Sequence, residues 1–252
     1  MQVTWQMLLI VCPLAALAGF VDSVAGGGGL ISLPAYYLAG LPASVAAGTN
    51  KMSACMGTVL ATYNYASCGK VDKRIGLWSG FGSLIASVLG VLVMKQLSDN
   101  AIRILVMCCL PVAGIFTLRG HGQIERRDFS ASTTAVISLL IGLAIGFYDG
   151  LVGPGTGTFL ILLFVNIFGL DDVLASGTAK VPNLCSNIAA LTSLFITGDV
   201  LWMLGLPAGI CAMAGATLGS RMTVKRGAKM IRKMMFIVLI LLLVKMVTDV
   251  LQ

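Results

Sequence analysis

The chain has 252 residues, 58% of them hydrophobic and only 11% charged, with a mean hydropathy of +0.96. A soluble domain carries about 25% charged residues, so this composition cannot cover a water-facing surface and excludes one. The net charge of +7 is no sign of nucleic-acid binding, because the basic residues gather in short clusters between apolar segments, as topology signals do.

Apolar stretches at 5–21, 75–94, 131–148, 200–219 and 234–251 each approach the ~20 residues that cross ~30 Å of hydrocarbon as a helix. The expected fold is therefore an all-α polytopic membrane protein. Its first helix is expected over 5–24. The "ALAG" inside it resembles a signal-peptide cleavage site. No basic region precedes it, however, and cleavage would cut into the glycines that follow, so it reads as a retained helix. Asp22 lies near its end, and Gly26, Gly27, Gly28 and Gly29 come next. A short element at 29–40 is followed by helices at 48–67, 76–95 and 100–119. The single histidine, His121, sits in a polar loop, and the seven cysteines form no CxxC pair, so neither a metal nor a cofactor is expected.

The second half restates the first. "GFVDSVAGGGG" returns as "GFYDGLVGPGTG", matching Asp22 with Asp149, and "AAGTNK" returns as "ASGTAK", matching Lys51 with Lys180. Gly69, Val71 and Gly90 recur at the same offset as Gly198, Val200 and Gly219. The second set of elements is expected at 131–151, 155–169, 176–197, 200–220 and 231–250. This divides one membrane unit into repeats 1–125 and 126–252.

Five elements is an odd number, so the second repeat should lie upside down. Loop charges agree: Lys70, Lys73 and Arg74 crowd loop 68–75, whereas its counterpart holds only Asp199. Loop 96–99 holds only Asp99, whereas 221–230 is heavily basic. Placing the basic loops in the cytoplasm puts both termini outside. The first two elements of each repeat read as a broken-helix hairpin with its glycine tip near mid-membrane. Full crossings give the same sidedness, so eight to ten transmembrane segments stay open.

Irregular backbone at membrane depth survives only where protein or a water-filled cavity satisfies it. Glycines bring bare N–H groups close to a ligand, and a helix starting after them points its positive end at the cavity. The run from Gly26 to Gly29 and the run of Gly153, Gly155, Thr156 and Gly157 would do this from opposite faces around one anion. The alternative is close packing of helices through small residues.

A charge at a helix centre costs about 2.5–3.5 kcal/mol, so Asp22, Lys51, Asp149 and Lys180 together represent roughly 10–14 kcal/mol if unpaired. Pairs Asp22–Lys51 and Asp149–Lys180, or cross-pairs at a pseudo-twofold axis, would compensate them. Such pairs would pin the loops, or the aspartates would take a proton. Lysines beside two helix N-termini over-neutralise a site unless an anion visits.

Lys180, Asn183 and Asn187 share one face of a helix, as do Lys51, Cys55, Thr58 and Thr62. Thr49, Asn50 and Thr178 flank the lysines and would cap helices or touch ligand. Together these form the candidate substrate site; no catalytic residue is expected.

The stretches "DSVAGGGGLISLP", "GTNK", "GKVD", "GFYDGLVGPGTGTF" and "TAKVPNLCSN" resemble the signatures of the sulfite exporter TauE/SafE family, also called the toluene-sulfonate uptake permease family. The resemblance runs through both halves. It implies secondary transport of a small anion such as sulfite or an organosulfonate across a bacterial cytoplasmic membrane, with no enzymatic activity. The second loop departs from the glycine run at Pro154 and Thr156. A passive anion channel shares nearly all these features. An intramembrane enzyme is the weaker alternative: "YD" at 148–149 supplies half of an aspartyl protease motif, and the other half is absent. The anion, the direction of transport, the coupling ion and the oligomeric state are not written in the sequence.

Overall fold

The computed structural model describes residues 3–102, 104–105, 108, 126–127 and 129–227. Among them are eight helices with defined ends, a further helical stretch that begins at 99–102, and no strand. The first four are α1 (Trp5–Ala25), α2 (Gly29–Leu38), α3 (Ala43–Ser67) and α4 (Lys73–Met94). The second four are α5 (Ala131–Leu151), α6 (Thr156–Phe168), α7 (Asp172–Ile196) and α8 (Trp202–Arg226). The helix expected at 100–119 falls mostly outside the described residues, and that at 231–250 and His121 fall wholly outside.

Four helices, α1, α4, α5 and α8, are long and apolar enough to cross a membrane. The 25-residue α3 and α7 are as long but diluted by polar residues. The short ones, α2 with 10 residues and α6 with 13, reach only about 15–20 Å at 1.5 Å per residue and cannot cross alone. Trp5, Trp78 and Trp202 are exposed near helix ends, where an amphipathic ring suits a membrane interface.

Two boundaries differ from the sequence expectation in a way that matters. α3 begins at Ala43, after Pro42, and α7 at Asp172, where the Asp171 carboxylate accepts from the amides of Val173 and Leu174. Both start earlier than expected, so Thr49, Lys51, Thr178 and Lys180 sit well inside their helices and cap nothing. α8 also runs on to Arg226, taking Arg221 and Lys225 out of the expected loop.

The helices sort into two bundles. α1, α2, α3 and α8 pack on one another, as do α4, α5, α6 and α7; α3 against α7 is the main contact between the sets. A seam of small residues welds each bundle. A Cβ on Gly142 or Gly150 of α5 would strike the carbonyl of Ser79 or Ser87 on α4. Likewise, a Cβ on Gly19 of α1 would strike the carbonyl of Ala212 on α8, and one on Gly215 of α8 that of Ala16. Such backbone-to-backbone approach is how helices associate where lipid removes the hydrophobic driving force.

At one end of the molecule the α7–α8 loop is clamped to the end of α4. Lys95 Nζ lies 2.6 Å from Asp199 Oδ2, and the Thr197 hydroxyl also donates to that oxygen. Burial pushes the Asp199 carboxyl up. Hydrogen bonds from Lys95 and Thr197 and the Lys95 charge outweigh this, leaving it below the ordinary carboxylate value of 3.8. A depressed folded-state value stabilises above the unfolded value and loses that stability as pH falls through the folded one. Asp199→Asn is therefore expected to lower the melting temperature at pH 7, with the gap to wild type closing below about pH 4. Melting curves across pH 3–7 check this.

Candidate functional site

The two glycine loops meet. Gly26 closes α1 with φ +76°, and a Cβ there would overlap the backbone of Gly157 and Thr158. The Thr158 hydroxyl donates to the Ala25 carbonyl at 2.8 Å, and a Cβ on Gly29 would lie 3.1 Å from the Pro154 Cα. A side chain larger than hydrogen at Gly26 would push the hairpins apart; the residue choice is dictated by the contact.

Beside this junction lies a cavity of about 560 Å³, its mouth included. Gly26, Gly28 and Gly29 line it from the first loop, and Gly153, Thr156 and Gly157 from the second. Asp22 and Asp149 reach it from the helices leading into those loops. From α3 come Asn50, Lys51, Ser53, Ala54, Gly57 and Thr58, and from α7 Asn183 and Asn187. Gly27, Thr49, Gly155, Thr178 and Lys180 are not part of its wall.

Asp22, Lys51, Asp149 and Lys180 form crossed pairs. Lys51 Nζ is 2.6 Å from Asp149 Oδ2, and Lys180 Nζ donates to Asp22 Oδ2 at 2.7 Å. Each lysine thus neutralises the aspartate of the opposite half, and of the two arrangements weighed from the sequence it is the cross-pairing that forms.

The pairs are not equivalent. Lys180 is fully buried, and its ammonium also donates to the Asp22 main-chain carbonyl, which ties it to the end of α1. Lys51 faces the cavity and donates to Asn187 Oδ1 at 3.2 Å; Asn187 in turn donates to Asn183 Oδ1 at 3.4 Å. Asp149 Oδ1 accepts from the Thr156 hydroxyl at 2.7 Å. Its Oδ2 touches the Lys51 charge off the angle of a hydrogen bond and has no hydrogen-bond partner, and neither does Asn50 Oδ1. Both oxygens belong to residues of the cavity wall. Of the two, Asp149 Oδ2 is compensated by the Lys51 charge, whereas an acceptor such as Asn50 Oδ1 is costly unless something visits it.

The "GT" preceding each lysine region has a different use. A Cβ on Gly48 would strike the Asp199 carbonyl, and one on Gly177 that of Lys70. Thr49 Oγ1 accepts from Leu201 N at 3.0 Å, and Thr178 Oγ1 from Asp72 N at 2.9 Å. In both halves glycine and threonine hold the loop that leaves the neighbouring long helix.

The cavity face of α3 is also turned from the stripe expected. Asn50, Ser53, Ala54, Gly57 and Thr58 line it, spaced as one helical face, whereas Thr62 bonds the carbonyls of Thr58 and Lys180. Ser32 and Ser53 are cavity residues that sequence reasoning missed, and Ser53 is fixed by the Tyr36 hydroxyl, which donates to it at 2.8 Å. The signal available was that same spacing of small residues. No group of three or more His, Cys, Asp or Glu side chains suited to a metal occurs among the described residues.

Comparison with known proteins adds identity to this geometry. The model of the family described as sulfite exporter TauE/SafE matches residues 11–246. The chain is 35% identical over 250 residues to a probable membrane transporter protein, ORF9, of a Sinorhizobium species, covering 98% of this chain and 95% of that one. It is 33% identical over 258 residues to the probable membrane transporter protein YfcA of Escherichia coli K12, covering 98% and 94%. Against the probable membrane transporter protein YunE of Bacillus subtilis it is 25% identical, covering 93% and 95%. No solved structure matches the chain.

Proposed function

Because the chain belongs to the sulfite exporter TauE/SafE family and is a membrane transporter, we propose that it is a secondary carrier of a small anion, a sulfite or organosulfonate. The anion binds between the glycine loops and the carrier works by alternating access in a bacterial cytoplasmic membrane. One observation carries this reading: the Lys51 ammonium stands in the wall of a mid-protein cavity into which the first turns of α2 and α6 also face. A cation and two positive helix ends favour an anionic visitor.

The substrate contacts proposed are Lys51, the amides of Gly28, Gly29 and Gly157, and the side chains of Asn50, Thr156, Asn183 and Asn187. Lys180, Thr49 and Thr178 act by holding the loops. The inverted-repeat reading has support from matched helix lengths: α1 and α5 have 21 residues each, and α3 and α7 have 25 each. The crossed ion pairs support it too. With the basic loops inside, both termini lie outside.

Asp149 neutralises the Lys51 charge that the substrate would claim. An arriving anion displaces it from Lys51, and a displaced buried carboxylate favours its neutral form. Proton uptake at Asp149 Oδ2, the oxygen without a hydrogen bond, then couples the anion to the proton gradient. Asp22 is held by Lys180.

Purified protein in proteoliposomes tests both parts. A labelled sulfonate should exchange faster when unlabelled substrate fills the lumen; without that acceleration the protein is a channel, the second reading. Uptake by wild type is expected to fall several-fold as external pH rises from 6 to 8, and Asp149→Asn is expected to remove that slope. A variant that keeps the full slope would end the assignment of the proton to Asp149.

A further inference from the structure

A second, separate cleft of about 670 Å³, its open mouth included, lies at the start of α4, where that helix meets the segment leading into α5 and the end of α6. Arg74, Arg126 and Arg127 line it with Thr134, over a floor of Ile75, Phe168 and Leu170. Among the described residues Asp72 is its one carboxylate, and that group is engaged. Its Oδ1 accepts from the amides of Arg74 and Ile75, and its Oδ2 lies 3.4 Å from Arg126.

The arginines stand on anchored backbone. Arg127 N donates to the Phe168 carbonyl at 3.1 Å, and Phe129 packs edge-on against Phe168 with centroids 5.9 Å apart. The fold itself does not need charge here. The repeat-equivalent positions of Asp72, Arg74 and Ile75 are Leu201, Met203 and Leu204, and in that half Leu201 and Leu204 join the apolar core.

A topology signal needs basic residues on one side of the membrane but does not need them to converge on a cleft. We propose that this cleft binds the phosphate of an anionic phospholipid headgroup. Guanidinium groups grip phosphate oxygens in pairs, and basic pockets between transmembrane helices suit such headgroups. A lipid is favoured over a free phosphate because exposed apolar side chains continue from the cleft along both helices. Leu77 and Phe81 on α4 and Val136 and Leu140 on α5 offer acyl chains a surface.

Native mass spectrometry of the full chain in detergent, titrated with phosphatidylglycerol, phosphatidylcholine or glycerol phosphate, tests this. Phosphatidylglycerol is expected to be retained in preference to phosphatidylcholine. The double variant Arg74→Gln/Arg127→Gln should weaken its binding by about a hundredfold, roughly tenfold for each charge-assisted contact to phosphate lost. Both arginines are exposed, so the change leaves the core intact. The control Lys225→Gln/Arg226→Gln removes two charges from the same end of the bundle, because Asn64 near the end of α3 bonds Ser220 of α8. It should stay within twofold of wild type. Equal loss in both double variants, equal retention of the two lipids, or glycerol phosphate binding as tightly as the lipid would each overturn the proposal.

Discussion

Lys51→Ala is expected to cut anion transport by about a hundredfold in protein that still reaches the membrane folded, whereas Lys180→Ala is expected to cost the fold itself. Lys51 borders a cavity, so its removal forfeits a charge-assisted contact with substrate, worth roughly 3 kcal/mol, and also costs some stability, because Asp149 then keeps only the Thr156 hydroxyl at the cavity wall. Lys180 is fully buried and holds Asp22 at two oxygens. Removing one partner of a buried pair costs about 3–5 kcal/mol, a large share of total stability, while removing both can be nearly neutral.

Charge-free double variants therefore separate the two roles. Asp22→Asn/Lys180→Met should recover most of the thermal stability lost in Lys180→Ala and transport at a substantial fraction of the wild-type rate. Lys51→Gln/Asp149→Asn should recover stability and remain inactive. Melting temperature and proteoliposome uptake on the same preparations decide it. A stable but transport-dead first variant, or an active second one, would refute the division of labour.

The second large effect is at the loop junction. Gly26→Ala combines a left-handed backbone, φ +76°, with a Cβ that meets only main-chain atoms of Gly157 and Thr158, none of which can rotate away. The conformational penalty alone is about 1–2 kcal/mol, and overpacking adds typically 1–3 kcal/mol more. Gly157→Ala meets the Gly26 backbone from the other side and is expected to lose the overpacking part without the conformational one. Gly40→Ala and Gly69→Ala, also at positive φ but with open space around the added carbon, should lose only the conformational part. Monodisperse yield by size exclusion, together with melting temperature, reads out the contrast. Well-folded Gly26→Ala protein at normal yield would mean the loops do not touch in the membrane.

Much of this was legible because the sequence spends residues that hydrocarbon does not tolerate. Four charges and two glycine runs in an apolar chain point to a shared centre, and motif duplication relates the halves. The pairing of the charges was less accessible. Lys51 finds Asp149 and Lys180 finds Asp22 across the two halves, and chemistry alone cannot choose between two aspartates.

The helices expected from 48 and 176 in fact start at Ala43 and Asp172. Pro42 and Asp171 were the true start signals. Gly48 and Gly177 sit inside helices because a carbonyl from a neighbouring loop occupies the space of a side chain, a fact of tertiary contact. The cavity face of α3 was misjudged for a related reason. The eye follows Lys51, Cys55, Thr58 and Thr62, but the concave side is set by where small residues leave room.

The division into two bundles gives the crossed pairs a further meaning. Asp22 and Lys51 belong to one bundle, and Asp149 and Lys180 to the other, so each salt bridge spans the parting line between them. The seams weld α8 to α1 and α4 to α5, so the bodies able to tilt against each other are not the two sequence repeats; each repeat lends one helix to its opposite number. In the proposed cycle any tilt would strain both electrostatic latches at once, and an anion that releases one of them would loosen the joint it has just entered.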